Sequence, residues 1–277
     1  MTFTRGARLR ICALIAFAVA SFAMVGSAGA TSANTDATDI WWNTVKAGNG
    51  YEMINTGTFL FVVGYVYGTD RQPFWISGEL RKVDAFGNTF TGPLYVNTGP
   101  HFGGPYDPAT VTQRQAGTMT FVMTANSAGL LSYTVDGVAA NESLQRTPLT
   151  PDDYNGSFGT VSSSISTGCL NPSNNGNFFG LIAVNIVQDG TSMTQVWTYK
   201  DNTTCTYVGT YSQLGRMGRF VANYSCNTGE VGTAELSEMN NAPKMLMARL
   251  VRHSTNLGCQ HQGNIAGATN QTGLINQ

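Results

Sequence analysis

Residues 59–67 alternate Phe59, Phe61, Val63, Tyr65 and Tyr67 with Leu60, Val62, Gly64 and Val66, so both faces of an extended segment are apolar. That pattern predicts a central, doubly covered strand or a barrel stave. A Gly/Asp/Pro cluster, GTDRQP, then turns the chain into PFWISGEL, where Phe74 and Ile76 face away from Trp75. GNTFTGPLYV (87–96) predicts the next strand, and TGPHFGGPYDPA (98–109) a proline- and glycine-rich loop. AGTMTFVMTAN, GLLSYTV and VAANESLQR predict three more strands, the last two joined by Asp136-Gly137, a strong two-residue hairpin signal. Further along, strands are predicted at 159–166, 178–188, 193–200, 204–212, 219–227, 231–237, 244–252 and 258–265. PKMLMARLV is the one helix candidate, and its place among strands favours strand. Short connections imply up-and-down meanders. Such a sheet removes its exposed edges most simply by closing into a barrel, with a two-sheet sandwich as the alternative.

The segment TCTYVGTYSQLGRMGRFVANYSC reads as one hairpin centred on Gly215-Arg216, with glycine at the first central position of a type II′ turn. Counting outward pairs Tyr211 with Phe220, Gly209 with Ala222, Tyr207 with Tyr224 and Cys205 with Cys226. One face then carries an aromatic ladder ending in two cysteines at a non-hydrogen-bonded pair, where side chains approach closely enough for a disulfide.

The N-terminus places such bonds in an oxidising compartment. Arg5, Arg8 and Arg10 precede an apolar run from Ile11 to Val25 and an Ala28-Gly29-Ala30 cleavage site, which reads as a secretory signal spanning residues 1–30. The run is short for a spanning helix, and no later segment is apolar enough to cross a membrane as one. Beyond the signal lie Cys169, Cys205, Cys226 and Cys259. An even count in an exported chain implies two bridges. Of three connectivities, Cys205–Cys226 with Cys169–Cys259 is favoured, the second joining the first and last strands of the C-terminal half. The signal holds three of the 15 basic residues and none of the 16 acidic ones, leaving 12 against 16 and a net charge of −4. With no basic run, nucleic acid and anionic membrane surfaces are unsuitable partners.

The remainder divides into a short polar leader (31–39) expected to be disordered, a cysteine-free β-domain (40–147), a linker (148–156, PLTPDDYNG), a disulfide-stapled β-domain (157–265) and a flexible tail (266–277). The expected fold class is all-β: two small antiparallel meander domains in tandem, each a barrel or sandwich of streptavidin- or lipocalin-like type.

Trp41-Trp42-Asn43, Gly48-Asn49-Gly50-Tyr51, GYVYGTDRQPFWISGEL and the loop Gly99-Pro100-His101-Phe102-Gly103-Gly104-Pro105-Tyr106-Asp107-Pro108 together cover nearly all of 40–147. In these motifs the first domain resembles a module of exported bacterial proteins of largely uncharacterised function. The second resembles the small β-domain that accompanies it, with a Cys-x-Tyr-x-Gly-Thr-Tyr…Tyr-x-Cys hairpin. The resemblance implies export and a two-module β architecture, and no activity. Trp42-Asn43, the glycine turn and the strands that follow are also similar, over about a third of the first domain, to the opening of streptavidin-like barrels. The biotin-contacting pattern is incomplete, so biotin is not the expected ligand.

Trp41, Trp42, Tyr51, Tyr65, Tyr67 and Trp75 crowd one end of the first domain, which reads either as an aromatic-lined cup for a small apolar or glycan-like ligand or as ordinary core. Adjacent Trp41 and Trp42 must face opposite sides of a strand, so one lies outside the core. The 98–109 loop adds His101, Phe102 and Tyr106 as ligand-contact candidates, or else caps a barrel end. Asp152 and Asp153 read as solvated linker residues. His253 and His261 lack a third metal ligand, and no cofactor or metal is expected. No G-x-S-x-G, H-E-x-x-H or phosphate-loop motif is present, and no catalytic residue is assigned. The reading is therefore a non-catalytic binding module, periplasmic or extracellular, for an unknown small molecule or glycan. The alternatives are a cell-surface assembly protein contacting another surface protein, and less readily a secreted hydrolase.

Overall fold

The computed structural model describes residues 36–84, 88–240 and 245–269. The segment read as a secretory signal lies outside the described residues. Two closed eight-stranded antiparallel barrels follow one another along the chain. The first is built from β1 (Asp39–Trp42), β2 (Gly50–Asn55), β3 (Phe59–Tyr67), β4 (Pro73–Lys82), β5 (Thr89–Thr98), β6 (Thr112–Ala125), β7 (Ala128–Val135) and β8 (Val138–Arg146). The second is built from β9 (Gly156–Thr167), β10 (Gly176–Asp189), β11 (Ser192–Tyr199), β12 (Thr204–Leu214), β13 (Met217–Cys226), β14 (Val231–Asn240), β15 (Met245–Ser254) and β16 (Gln260–Thr269). Closure, rather than a sandwich, leaves neither sheet with an open edge. The described part of the segment read as a possible helix, from Met245 on, is strand β15.

Each barrel is filled by alternate residues of its strands. Leu60, Val62 and Val66 of β3 point inward with Tyr51 and Ile76, and Trp41 meets Phe121 edge-on at 5.4 Å. In the second barrel Trp197, Tyr207 and Tyr224 form a run of ring contacts, at 4.7 and 5.2 Å between centroids. The β12–β13 register pairs Tyr211 with Phe220, Tyr207 with Tyr224 and Cys205 with Cys226, as counted from the turn. Gly215 has φ +58° while Arg216 does not enter the left-handed region, as a type II′ turn requires. Both disulfides are formed, Cys205–Cys226 with Cα atoms 3.9 Å apart and Cys169–Cys259 with 4.0 Å.

Two expectations about the connecting segments are corrected. Residues 36–39 of the leader are ordered: Ala37 is fully buried and Asp39 opens β1. The linker packs on the second barrel: Tyr154 is fully buried and its ring meets Tyr211 edge-on at 5.4 Å. Tyr154 plugs the end of the second barrel nearest the linker, and Gln188 and Gln213 accept hydrogen bonds from the backbone N–H groups of Tyr154 and Asp152. The C-terminal strand runs to Thr269, past the expected start of the tail.

The first barrel closes over a short seam. Only Trp41–Arg146 and Trp42–Gln145 are in register between β1 and β8, whereas β9 and β16 pair over ten positions. A buried ion pair reinforces the short seam: Arg146 donates to Asp39 Oδ2 at 2.6 Å and lies over the Trp41 ring at 4.7 Å. Arg146 also donates to the carbonyls of Asp36, Thr38 and Asn126, so each of its three nitrogens is engaged. The β12–β13 hairpin tip docks on the same group. The Arg216 N–H donates to Asp39 Oδ2 at 2.9 Å, its Nε to the Thr38 carbonyl, and its guanidinium pairs with Asp36. The Gly215 N–H donates to the Thr147 carbonyl. A Cβ on Gly215 would sit 2.2 Å from the Asp39 carboxylate, so glycine serves both the turn and the contact.

Removing one partner of a buried pair strands the other charge. Asp39→Ala is expected to cost about 3–5 kcal/mol in chemical denaturation. Asp39→Ala with Arg146→Met is expected to cost less than Asp39→Ala alone. A single-variant cost below about 1 kcal/mol would contradict the role given to the pair.

Candidate functional site

The first barrel does not gather the aromatic candidates into one cup. Trp41 and Tyr51 point inward and are fully buried, as core. Trp42, half-buried, lies on the outer face of β1, as the alternation of adjacent tryptophans requires. Tyr65, Tyr67 and Trp75 are also on the outside, each about half exposed. Register aligns Trp42, Gly50, Tyr65 and Trp75 in one row across β1–β4. His101, Phe102 and Tyr106 are exposed in the loop before β6, with Phe102 99% accessible, so they form no cap. His101 and Phe102 contact only each other among the ring pairs of this loop, at 4.7 Å.

The end of the first barrel opposite the Asp39–Arg146 pair is filled by its own side chains. Inward-facing Glu142 is buried and accepts from Asn43 Nδ2 at 2.6 Å and from Lys46 Nζ at 2.8 Å. The Tyr51 and Tyr133 hydroxyls meet at 3.2 Å beside this pair. Burial first, and then the hydrogen bond to Tyr133, push the Tyr51 phenol well above its ordinary range. The arrangement is a satisfied polar plug.

The corresponding end of the second barrel is open. Inward positions of β9 run Phe158, Thr160, Ser162, Ser164, Ser166, turning from apolar to hydroxylated along one strand. On β15 the inward series Leu246, Ala248, Leu250 turns polar at Arg252 and Ser254, and on β16 His261 pairs in register with Arg252. Ser162, Ser164, Ser166, Leu250, Arg252 and His261, with Phe178, Tyr199 and the segment 173–177, line a cavity of about 350 Å³. Phe178 bends over Gly180, where a Cβ would come within 2.9 Å of its ring, and meets Tyr199 edge-on at 6.0 Å.

Arg252 organises the floor. One terminal nitrogen donates to the Tyr199 and Tyr207 hydroxyls at 3.2 Å each, and the other lies 3.3 Å from His261 Nε2 and 3.6 Å from Glu230. Glu230 is held from behind by the Tyr224 hydroxyl at 2.6 Å. The Arg252 Nε is buried with no hydrogen-bond partner. Burial, then the Arg252 charge, push His261 down to about 4 against the pull of Glu230, so the ring is neutral at neutral pH. His253 occupies the neighbouring face of β15, pointing out of the barrel, and shares no site with His261. Among the described residues, no three His, Cys, Asp or Glu side chains converge as metal ligands.

Both disulfides lie at this mouth. Cys205–Cys226 joins the mouth ends of β12 and β13. Cys169–Cys259 ties the 168–175 loop to the start of β16, and Asn175 accepts from the Cys169 N–H at 3.1 Å. A larger cleft of about 570 Å³ flanks the linker, but its Gln188 and Gln213 already hold linker backbone, so its polar groups serve the plug. Sequence reasoning missed Ser162, Ser164, Ser166, Tyr199 and Arg252. The signal available was a lone arginine continuing the inward register of an apolar strand.

The fold and site define a tandem of closed eight-stranded barrels, one mouth plugged and the other open. No family model matches the chain, and no curated protein or solved structure shows significant similarity to it.

Two outcomes follow for the mouth. An unfolded histidine takes its proton near pH 6.5 and the folded one near 4, so the unfolded chain binds the extra proton between these values. Stability should therefore fall as pH drops from about 6.5 towards 4, and His261→Gln should flatten part of that loss in pH-dependent denaturation. An identical profile in the variant would contradict the burial of His261. Cys169→Ser with Cys259→Ser should lower stability by roughly 2–4 kcal/mol and raise amide exchange in 168–175 more than in β11–β13. Uniform exchange across the barrel would argue against a local brace.

Proposed function

We propose that the protein is exported and acts as a non-catalytic binding module, with its ligand seat in the mouth of the second barrel. The observation that carries this reading is the cavity itself: about 350 Å³, lined by serine hydroxyls, asparagine amides, a buried arginine and two aromatic rings. Closely spaced hydroxyl and amide groups suit a small hydroxylated, glycan-like ligand, and Phe178 and Tyr199 offer ring faces for its apolar side. The two disulfides and the N-terminal signal pattern support export. Hydrolysis is disfavoured. His261 is weakly basic, and no hydrogen bond joins it to Ser166, its cross-strand neighbour.

Calorimetric titration of the oxidised protein with a panel of mono- and disaccharides tests this. Binding to at least one sugar is expected. Ser164→Leu, which fills the mouth, should weaken it at least tenfold, and Tyr65→Ala with Trp75→Ala should leave it unchanged. Absence of any binding, or affinity unchanged by Ser164→Leu, would overturn the assignment.

A second reading, an assembly protein, is favoured by exposed Phe179 and Leu181 on the outside of β10, with Val161 opposite Leu181 on β9. Sedimentation would then show a defined oligomer that Leu181→Lys dissociates. A monomer at all concentrations would dismiss it.

A further inference from the structure

We propose that the outer face of the first barrel carries a second binding site, a strip across β1–β4 that takes a neutral β-1,4-linked glucan chain. It stands independently of the seat in the second barrel's mouth, which takes a small sugar.

Register builds the strip. Trp42, Gly50, Tyr65 and Trp75 lie in one row across four neighbouring strands, and Gln145 of β8 continues the row beyond Trp42. The alternate residues of these strands fill the barrel, so the row faces outward. Tyr65 is 55% and Trp75 48% accessible, so about half of each ring is open to a partner. Trp42 is partly exposed, but its Nε1–H is buried, so it presents ring carbon rather than a polar edge.

Gly50 keeps the row continuous. A Cβ there would meet nothing closer than the Trp41 carbonyl at 4.0 Å, so the space between Trp42 and Tyr65 is an open trough. The φ of Gly50 is not in the left-handed region, so neither backbone nor packing demands glycine here. Tyr67 forms the rim above, its ring laid over Gly48, where a Cβ would come within 3.1 Å of the hydroxyl.

Extent and charge select the occupant. The half-exposed rings of Tyr65, Tyr67 and Trp75 offer roughly 300 Å² between them, well below the roughly 800 Å² per side of a stable protein interface. Trp42 and Tyr65 are two strand spacings apart and Trp42 and Trp75 three, roughly 9.5 and 14 Å at the backbone. A single chain several sugars long spans that length and a disaccharide does not. The row itself is uncharged. The rows beyond it on β2–β4 bring Glu52 and then Glu79 before the first cation, Arg81. Asp70 and Arg71 of the β3–β4 turn offset each other, and Lys46 is paired with Glu142. A polyanion would therefore meet net negative charge, whereas a neutral chain does not. Equatorial substituents leave the faces of a glucose ring apolar, and the β-1,4 linkage holds successive faces in a flat ribbon that can stack along a row of rings. Between Trp42 and Trp75 the row has no amide or carboxylate to read a further substituent, which favours plain glucan over an N-acetylated chain.

The test is calorimetric titration of the full oxidised chain with cellohexaose, set against maltohexaose and chitohexaose of equal length. Cellohexaose is expected to bind roughly tenfold or more tightly than either. Trp75→Ala removes a ring and Gly50→Ile fills the trough, and each should weaken cellohexaose roughly tenfold. Ser164→Leu, in the other barrel, should leave it within twofold. The comparison of the three hexaoses on the unaltered protein stands even if a variant fails to fold. Equal or tighter binding of maltohexaose or chitohexaose, or no binding of cellohexaose, would overturn the inference while leaving the mouth to be judged by its own small sugars. Loss of cellohexaose binding in Ser164→Leu but not in Trp75→Ala would place the chain in the mouth, overturning the strip and supporting the seat.

Discussion

The Asp39–Arg146 ion pair is the interaction on which the two-barrel arrangement turns. It bridges β1 and β8 where the ladder is only two register pairs long, so side-chain charge supplies what the backbone seam lacks. A buried pair earns its desolvation cost only when its remaining donors are satisfied. Here three backbone carbonyls accept from Arg146, and the Arg216 N–H donates to Asp39. The last of these comes from the other barrel. Completion of the first barrel's seam and docking of the second barrel's hairpin are thus one hydrogen-bonded network. Residues 36–38, from a segment that composition marks as a leader, are held because their carbonyls and the Asp36 carboxylate belong to it.

This network also decides which barrel ends are available. The hairpin tip at Gly215-Arg216 and the Tyr154 plug occupy the inner end of the second barrel, leaving the opposite end as its mouth. A barrel end that is polar inside loses apolar packing, and each hydroxyl or guanidinium placed there needs a partner. Both disulfides fall at that end, where packing is thinnest. Their placement suits a mouth that must keep its shape while remaining partly solvated, because a covalent tie is insensitive to water.

The strands and the cysteine pairing were legible because they depend on local periodicity and on counting from one turn. Gly215 sets the register of β12 on β13, and from it the ring ladder and the Cys205–Cys226 pair follow without further information. The aromatic cup was not legible, because crowding along the sequence does not say which face a residue takes. Tyr65 and Trp75 share a register row with each other and with Trp42, but that row is on the outside, while Tyr51 and Trp41 point in. The open mouth was hidden for a different reason. Ser164, Tyr199, Arg252 and His261 come from four strands that meet only when β9 pairs with β16, and no two form a motif along the chain.

The contrast between the two mouths argues that the open one is a site rather than a packing defect. The first barrel places a carboxylate inside its outer end and neutralises it from its own chain, with Lys46 and Asn43 reaching in from the segment after β1. The second places a guanidinium inside its outer end and engages it with two tyrosines, a histidine and, at 3.6 Å, Glu230, while a cavity of about 350 Å³ lies open beside it. The same fold can therefore supply an internal partner for a buried charge. Glu230 does for Arg252 what Lys46 does for Glu142, so both barrels meet their inner charge from their own chain, and what distinguishes the second is the open cavity left beside Ser162, Ser164, Phe178 and Tyr199.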